Sequence, residues 1–132
     1  TAKTGVPHAV SNAECVKKSE YVILAVKPQY FETVFEEIRP VLKEDQIVIS
    51  LAPGQTIASL TERLDGKVRI VRTMPNTPAL VGEGCTGFCC YKLVSEEEQA
   101  QAAAILGSFG RAYQVPENLL DTVGGISGSS PA

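Results

Sequence analysis

The sequence has no tryptophan, one methionine (Met74) and one histidine (His8). A single histidine leaves little for metal or nucleophilic chemistry. The four cysteines, Cys15, Cys85, Cys89 and Cys90, contain no C-x-x-C pair, so no zinc site with workable ligand spacing is expected. Cys89 and Cys90 are neighbours in a strand-like segment and should point to opposite faces as reduced, buried thiols. Gly125-Ile126-Ser127-Gly128-Ser129 resembles a nucleophile elbow but lacks its final glycine, and its only histidine partner would be the remote His8. Basic excess is also missing: 12 Lys and Arg stand against 15 Asp and Glu, a net charge of −3. Nucleic acid and anionic membrane are therefore poor partners. No apolar run approaches the roughly 20 residues of a membrane helix, and the opening residues show no signal-peptide pattern. The expectation is a soluble cytoplasmic protein. Its 132 residues, 44% hydrophobic, suffice for one domain with one core.

What is present alternates between two periodicities. Ser11-Asn12-Ala13-Glu14 fits a capping box opening a short helix to about Lys18. Tyr21 to Val26 is an uninterrupted apolar run, the pattern of a strand buried on both faces. Phe31, Val34, Phe35 and Ile38 recur at helical spacing. Ile47 to Leu51 is a strand, Thr56 caps a helix with apolar Ile57, Leu60 and Leu64, and Val68 to Thr73 is a strand. Cys85 to Tyr91 reads as a strand. Ser95 to Glu98 is a second capping box, opening a helix to about Phe109 that Gly110 stops. A last strand over Arg111 to Val115 and a helical turn or two over Leu119 to Val123 complete the order. This alternation predicts an α/β fold, Rossmann-like, with a mostly parallel sheet flanked by helices.

In such sheets ligands bind beyond the carboxyl ends of the strands. Three successive strands here end in proline-pinned loops: Ala25-Val26-Lys27-Pro28, Leu51-Ala52-Pro53-Gly54 and Met74-Pro75-Asn76-Thr77-Pro78. If the strands are parallel, the loops share one edge and offer one cation, one amide and small residues that let a ligand approach the backbone. Gly82-Glu83-Gly84-Cys85-Thr86-Gly87 fits G-x-G-x-x-G, but it leads into a strand-like segment rather than a helix, so it is not read as a phosphate loop.

These loops, with Ser127-Gly128-Ser129-Ser130-Pro131-Ala132, resemble pyrroline-5-carboxylate reductase in residues, order and spacing. The resemblance covers essentially the whole chain, and the lysine-proline and M-P-N-T-P segments are its most specific parts. It implies a Rossmann-type domain binding NADPH (or NADH), and hydride transfer to the imine of 1-pyrroline-5-carboxylate giving L-proline. By that resemblance Asn12, Val26, Lys27, Ala52 and Pro53 border the cofactor, Ala25 and Pro28 shape its wall, and Met74 and Asn76 lie near the nicotinamide. It assigns no catalytic residue and no metal ligand here. It also implies a central piece. The family's first strand and Gly-rich loop would precede Thr1, residues 1–126 would be part of the dinucleotide-binding domain, and 127–132 would open a helical domain that makes a homo-oligomer and holds most of the substrate. Ser130 stands where many members have glycine. The 132-residue chain alone is expected to be inactive.

Two other readings stay open. One is another imine or β-hydroxyacid dehydrogenase of similar fold. Those often place a lysine on a later helix, whereas Lys92 is the last lysine here. The other is a non-catalytic paralogue that keeps the fold for binding or regulation.

Overall fold

The computed structural model describes residues 5–66 and 68–124. Five strands form one sheet in chain order: β1 (Tyr21–Leu24), β2 (Ile47–Ser50), β3 (Arg69–Met74), β4 (Gly84–Cys90) and β5 (Gly110–Gln114). β1, β2 and β3 are mutually parallel, in a register that aligns Leu24 with Ser50 and Ser50 with Arg72. β4 reverses against β3, pairing Met74 with Gly87, and β5 runs parallel to β4. The reversal follows from connection length, because a helix-length crossover separates every other consecutive pair while β3 and β4 are joined by a short turn. The Rossmann-like, mostly parallel sheet expected from the alternation is what forms.

Five helices flank it: α1 (Asn12–Lys17), α2 (Phe31–Ile38), α3 (Ile57–Arg63), α4 (Glu96–Gly107) and α5 (Glu117–Val123). One face of the sheet packs Leu24, Val48, Ile70 and Cys89 against Val16 of α1, the apolar stripe of α2, Ile57 and Leu60 of α3, and Leu120 of α5. Phe31 and Phe35 are fully buried with ring centroids 5.1 Å apart. Each contributes on the order of 2–3 kcal/mol of burial. The other face packs Ile49, Val71 and Phe88 against Ala102 and Leu106 of α4. Cys89 and Cys90 do face opposite ways, one into each cluster. Among the described residues no helix is long and apolar enough to cross a membrane.

Caps explain where the helices begin. The Ser11 and Thr56 hydroxyls each accept from the backbone N–H three residues on, satisfying donors that a helix start leaves open. Ser95 and Glu98 form the reciprocal box the sequence predicts. At α1 the box is not reciprocal. Glu14 reaches past Ser11 to the N–H of Val10, at 2.7 Å, and pairs with Lys18.

Three expectations change. The Tyr21–Val26 run is not buried on both faces: β1 lies at the edge of the described sheet, and Ile23, on the α4 side, is 50% exposed because α4 lies chiefly over β4 and β5. The α4 helix ends at Gly107, and Gly110 instead opens β5 with φ at +146°. A β-carbon there would sit 2.0 Å from the carbonyl oxygen of its partner Gly84, so this glycine serves strand approach and not helix termination. The last helix starts at Glu117, two residues before its apolar pattern does. The expected domain boundary at 126/127 and the Ser127–Ala132 segment lie outside the described residues.

Candidate functional site

Because β1, β2 and β3 are parallel, their carboxyl ends and the three proline-pinned loops fall on one edge of the sheet. The first two loops build a cleft of about 370 Å³ lined by Leu24, Ala25, Val26, Lys27, Pro28, Leu51, Ala52 and Pro53. Six of the nine residues expected from sequence thus share one concavity. Its surface is mostly apolar. Ala52 is buried in its floor, while Ala25, Lys27, Pro28 and Pro53 are exposed around it. Lys27 is extended, at φ −68° and ψ 146°, before a 3-10 turn over Pro28–Tyr30 whose Tyr30 N–H returns to the Lys27 carbonyl at 2.9 Å. The second loop turns at Gly54, whose φ of +74° favours glycine. It is held by the Ser50 hydroxyl, which accepts from Ala52 N at 3.4 Å, and by Thr73, whose hydroxyl donates to the Ser50 carbonyl at 2.9 Å.

The third loop stands beside that cleft without lining it. Met74 is half-buried against the core, and Gly124 gives it room, since a β-carbon there would lie 3.1 Å from the Met74 sulfur. Asn76 uses its side-chain oxygen to accept from the Cys85 N–H at 2.9 Å, bracing the turn that leads from β3 to β4. The proline-rich stretch continues as a 3-10 turn, Thr77–Val81, closed by Gly82 at φ +77°. The G-x-G-x-x-G match therefore spans a turn and a strand, as expected. Leu80 and Val81 stand 87% and 77% exposed on it.

Asn12 is elsewhere. Its backbone N–H and side-chain amide donate to the two oxygens of Glu37, at 3.0 and 2.8 Å, joining α1 to α2. It lines a separate cleft of about 540 Å³ with residues 7–11, Cys15 and Glu37. A larger cavity, about 900 Å³, lies between α3 and the ends of β4 and β5, lined by residues including Ile57, Thr61, Cys89, Tyr91 and Val115. No motif falls there, so position at the strand ends, and not volume, selects the candidate site.

Reactive thiols do not enter the site. Burial pushes the Cys89 thiol up to about 12, with Glu117 adding to the rise and Arg72 opposing it, and burial raises Cys90 to about 11. Both stay protonated and unreactive near neutral pH. Among the described residues no three His, Cys, Asp or Glu side chains gather to hold a metal.

One residue escaped the sequence reading. Arg72, inside β3, is 2% exposed and pairs through Nη2 with Asp121 at 2.8 Å and through Nη1 with Glu117 at 3.3 Å. The same Glu117 oxygen accepts the Ile57 N–H at 2.7 Å. The signal was available: a charge in a β-branched run, with two acids spaced four apart on the last helix.

A family model described as NADP oxidoreductase coenzyme F420-dependent matches residues 2–54. The pyrroline-5-carboxylate reductase of Methanosarcina acetivorans is 38% identical over 131 residues, 99% of this chain and 48% of that protein. The Escherichia coli enzyme is 38% identical over 128 residues, covering 97% and 48%. Among solved structures, a pyrroline-5-carboxylate reductase from Coxiella burnetii superposes with a TM-score of 0.92 at 34% identity, over 98% of this chain and 48% of that one. The Plasmodium falciparum pyrroline carboxylate reductase, with NADP bound, superposes at 0.87 and 33% identity, over 93% and 47%. Prephenate dehydrogenase from Aquifex aeolicus, at 15% identity and a TM-score of 0.66, shares the fold alone. The chain spans about half the length of the curated relatives it matches. Along nearly all of its own length, this Rossmann-like chain is similar to the pyrroline-5-carboxylate reductases.

Proposed function

We propose that this chain supplies the cofactor edge of an NAD(P)H-dependent pyrroline-5-carboxylate reductase, which reduces the imine of 1-pyrroline-5-carboxylate to L-proline in the last step of proline biosynthesis. The observation that carries this reading is the coincidence of the similarity with the cleft. The residues the resemblance points to, Ala25–Pro28 and Ala52–Pro53, line one concavity at the carboxyl ends of parallel strands.

The residues present fit a dinucleotide. Small side chains at Ala25 and Ala52 leave the cleft open, and bulk there would fill it. The Lys27 ammonium on its rim offers donors to ribose hydroxyls or phosphate. Met74 and Asn76 belong, in this reading, beside the nicotinamide, with Asn76 keeping its loop in place. Asn12, clasped by Glu37 in another cleft, stands apart from this set. When bound, the reduced nicotinamide supplies the hydride to the imine carbon, and a proton taken up at nitrogen completes the amine. The chain's own task is to hold the cofactor in place and exclude water from that face. Residues 1–126 are assigned to the dinucleotide-binding domain. Residues 127–132 are assigned to the start of a helical, oligomer-forming domain that holds the substrate.

The test is NADPH oxidation by the whole protein, followed by loss of nicotinamide absorbance, with pyrroline-5-carboxylate set against other imines and β-hydroxyacids. Turnover confined to the pyrroline is the expected result, with none from the isolated 132 residues. Absence of binding of both NADPH and NADH by the whole protein, or preference for a hydroxyacid, would refute the reading.

A further inference from the structure

We infer that Arg72 is a positioning residue that locks two of the three edge loops together, and so fixes the nicotinamide end of the site; the inference rests on the proposed function. A guanidinium keeps its proton, so its burial inside β3 needs anionic partners. It has two, Glu117 and Asp121, both on α5 and one helical turn apart. Glu117 is shared. Its Oε1 accepts from Arg72 and from the N–H of Ile57, the first residue of α3. Ile57 directly follows the loop that carries Ala52 and Pro53. Arg72 lies two residues before Met74, and α5 ends at Gly124 against the Met74 side chain. One carboxylate and one guanidinium therefore join the second loop, the third loop and α5.

A buried guanidinium paired with carboxylates at the surface is a poor device for stability, because burying the charge costs much of what the pairing returns. It is a good device for angle. The planar fork fixes the direction of β3 relative to α5, which the single ammonium of lysine cannot do. Hydride transfer depends steeply on placement, and a shift of about 1 Å can cost about 10²-fold in rate. Loss of the fork should therefore change the reaction more than it changes folding.

Arg72→Lys and Arg72→Met test this, the second because an apolar side chain of similar length suits the buried site and the carboxylates left behind, Glu117 and Asp121, reach water. The first readout needs no cofactor. In the isolated chain, amide hydrogen exchange at Ile57, Met74 and Cys85 should quicken at least about tenfold, while Ile49 and Phe88 in the middle of the sheet stay as in the wild type. The second readout uses the whole enzyme. Here kcat should fall about 10- to 100-fold, NADPH KM should move less than about threefold, and the primary isotope effect with deuterated NADPH should rise, since only a slowed hydride step raises it. A folding defect alone would lower the amount of active enzyme and leave the isotope effect unchanged. Wild-type exchange at Ile57 and Met74, or an unchanged isotope effect in a folded variant, would overturn the inference. A wild-type enzyme unable to reduce the imine would overturn the proposed function instead, and the exchange arm would still decide whether Arg72 couples the loops.

Discussion

Replacing Gly110 with alanine is the most demanding single-methyl test of this fold. Gly110 enters β5 at φ +146°, a conformation that L side chains rarely adopt. Its new β-carbon would meet Gly84 backbone atoms at 2.0, 2.4 and 2.5 Å, where real contacts do not fall below 3.0 Å. The partner cannot give way easily, because Gly84 N donates to the Phe109 carbonyl at 2.9 Å and Gly84 packs so near Ala79 that a β-carbon built on it would meet that residue at 2.9 Å. The start of β5 must therefore peel from β4. Relieving a strained backbone conformation is worth about 1–3 kcal/mol, and the broken hydrogen bond adds about 1 kcal/mol. Together these predict a loss of about 2–4 kcal/mol. With a urea slope of about 2 kcal/mol per molar, the unfolding midpoint should drop by about 1–2 M. Gly107→Ala is the internal control. It closes α4 with nothing within 4 Å of a new methyl and should gain a few tenths to about 1 kcal/mol. A Gly110→Ala variant that melts within about 0.5 kcal/mol of the wild type would refute the account of the β4–β5 pairing.

Four shorter tests accompany it. Phe35→Ala, which empties a fully buried site beside Phe31, should cost about 3–5 kcal/mol by denaturant titration. A thiol-specific dye should label exposed Cys15 in the native protein, while Cys89 and Cys90, with thiols at about 12 and 11, should label only on unfolding; rapid native labelling of Cys89 would contradict its burial. Glu98 is held below its ordinary 4.5, first by the Ser95 N–H, against desolvation, and then by Arg69. That contribution is present above pH 4.5 and lost as pH falls through and below it, so Glu98→Gln should flatten the acid side of the stability profile, while Ser95→Ala, which keeps the backbone N–H, should leave most of it in place. Under the proposed function, Lys27→Met should weaken NADPH binding by the whole protein about three- to tenfold in a calorimetric titration.

Much of the fold was legible because its elements carry strong local signals. The alternation of helical and strand periods pointed to the five strands and five α-helices, though not to the 3-10 turns at Pro28–Tyr30 and Thr77–Val81. Ser95-Glu96-Glu97-Glu98 announced α4, and the Pro-pinned ends of β1, β2 and β3 located the candidate edge. What failed to show was set by distant partners. The apolar run Tyr21–Leu24 does not reveal which of its faces a helix covers, and Ile23 is left half exposed. Gly110 reads as a helix stop until Gly84 is seen beside it. Asn76 reads as a ligand amide, yet its oxygen is already used by Cys85, nine residues on. Arg72 carries only a weak signal, a charge in a β-branched run, because the partners that bury it lie 45 and 49 residues away.

The reversal between β3 and β4 has a consequence for tethering. It sends β4 and β5 back across the sheet, so that α5 climbs again to the rim from which the chain left at Met74, and Gly124 stops against that same side chain. Gly124 thus lies against Met74, the residue that leads into the Pro75–Pro78 loop. A short covalent leash from that point confers an effective concentration on the order of millimolar. Any group carried there would meet the loop as an intramolecular neighbour, at a frequency set by the leash and independent of protein concentration.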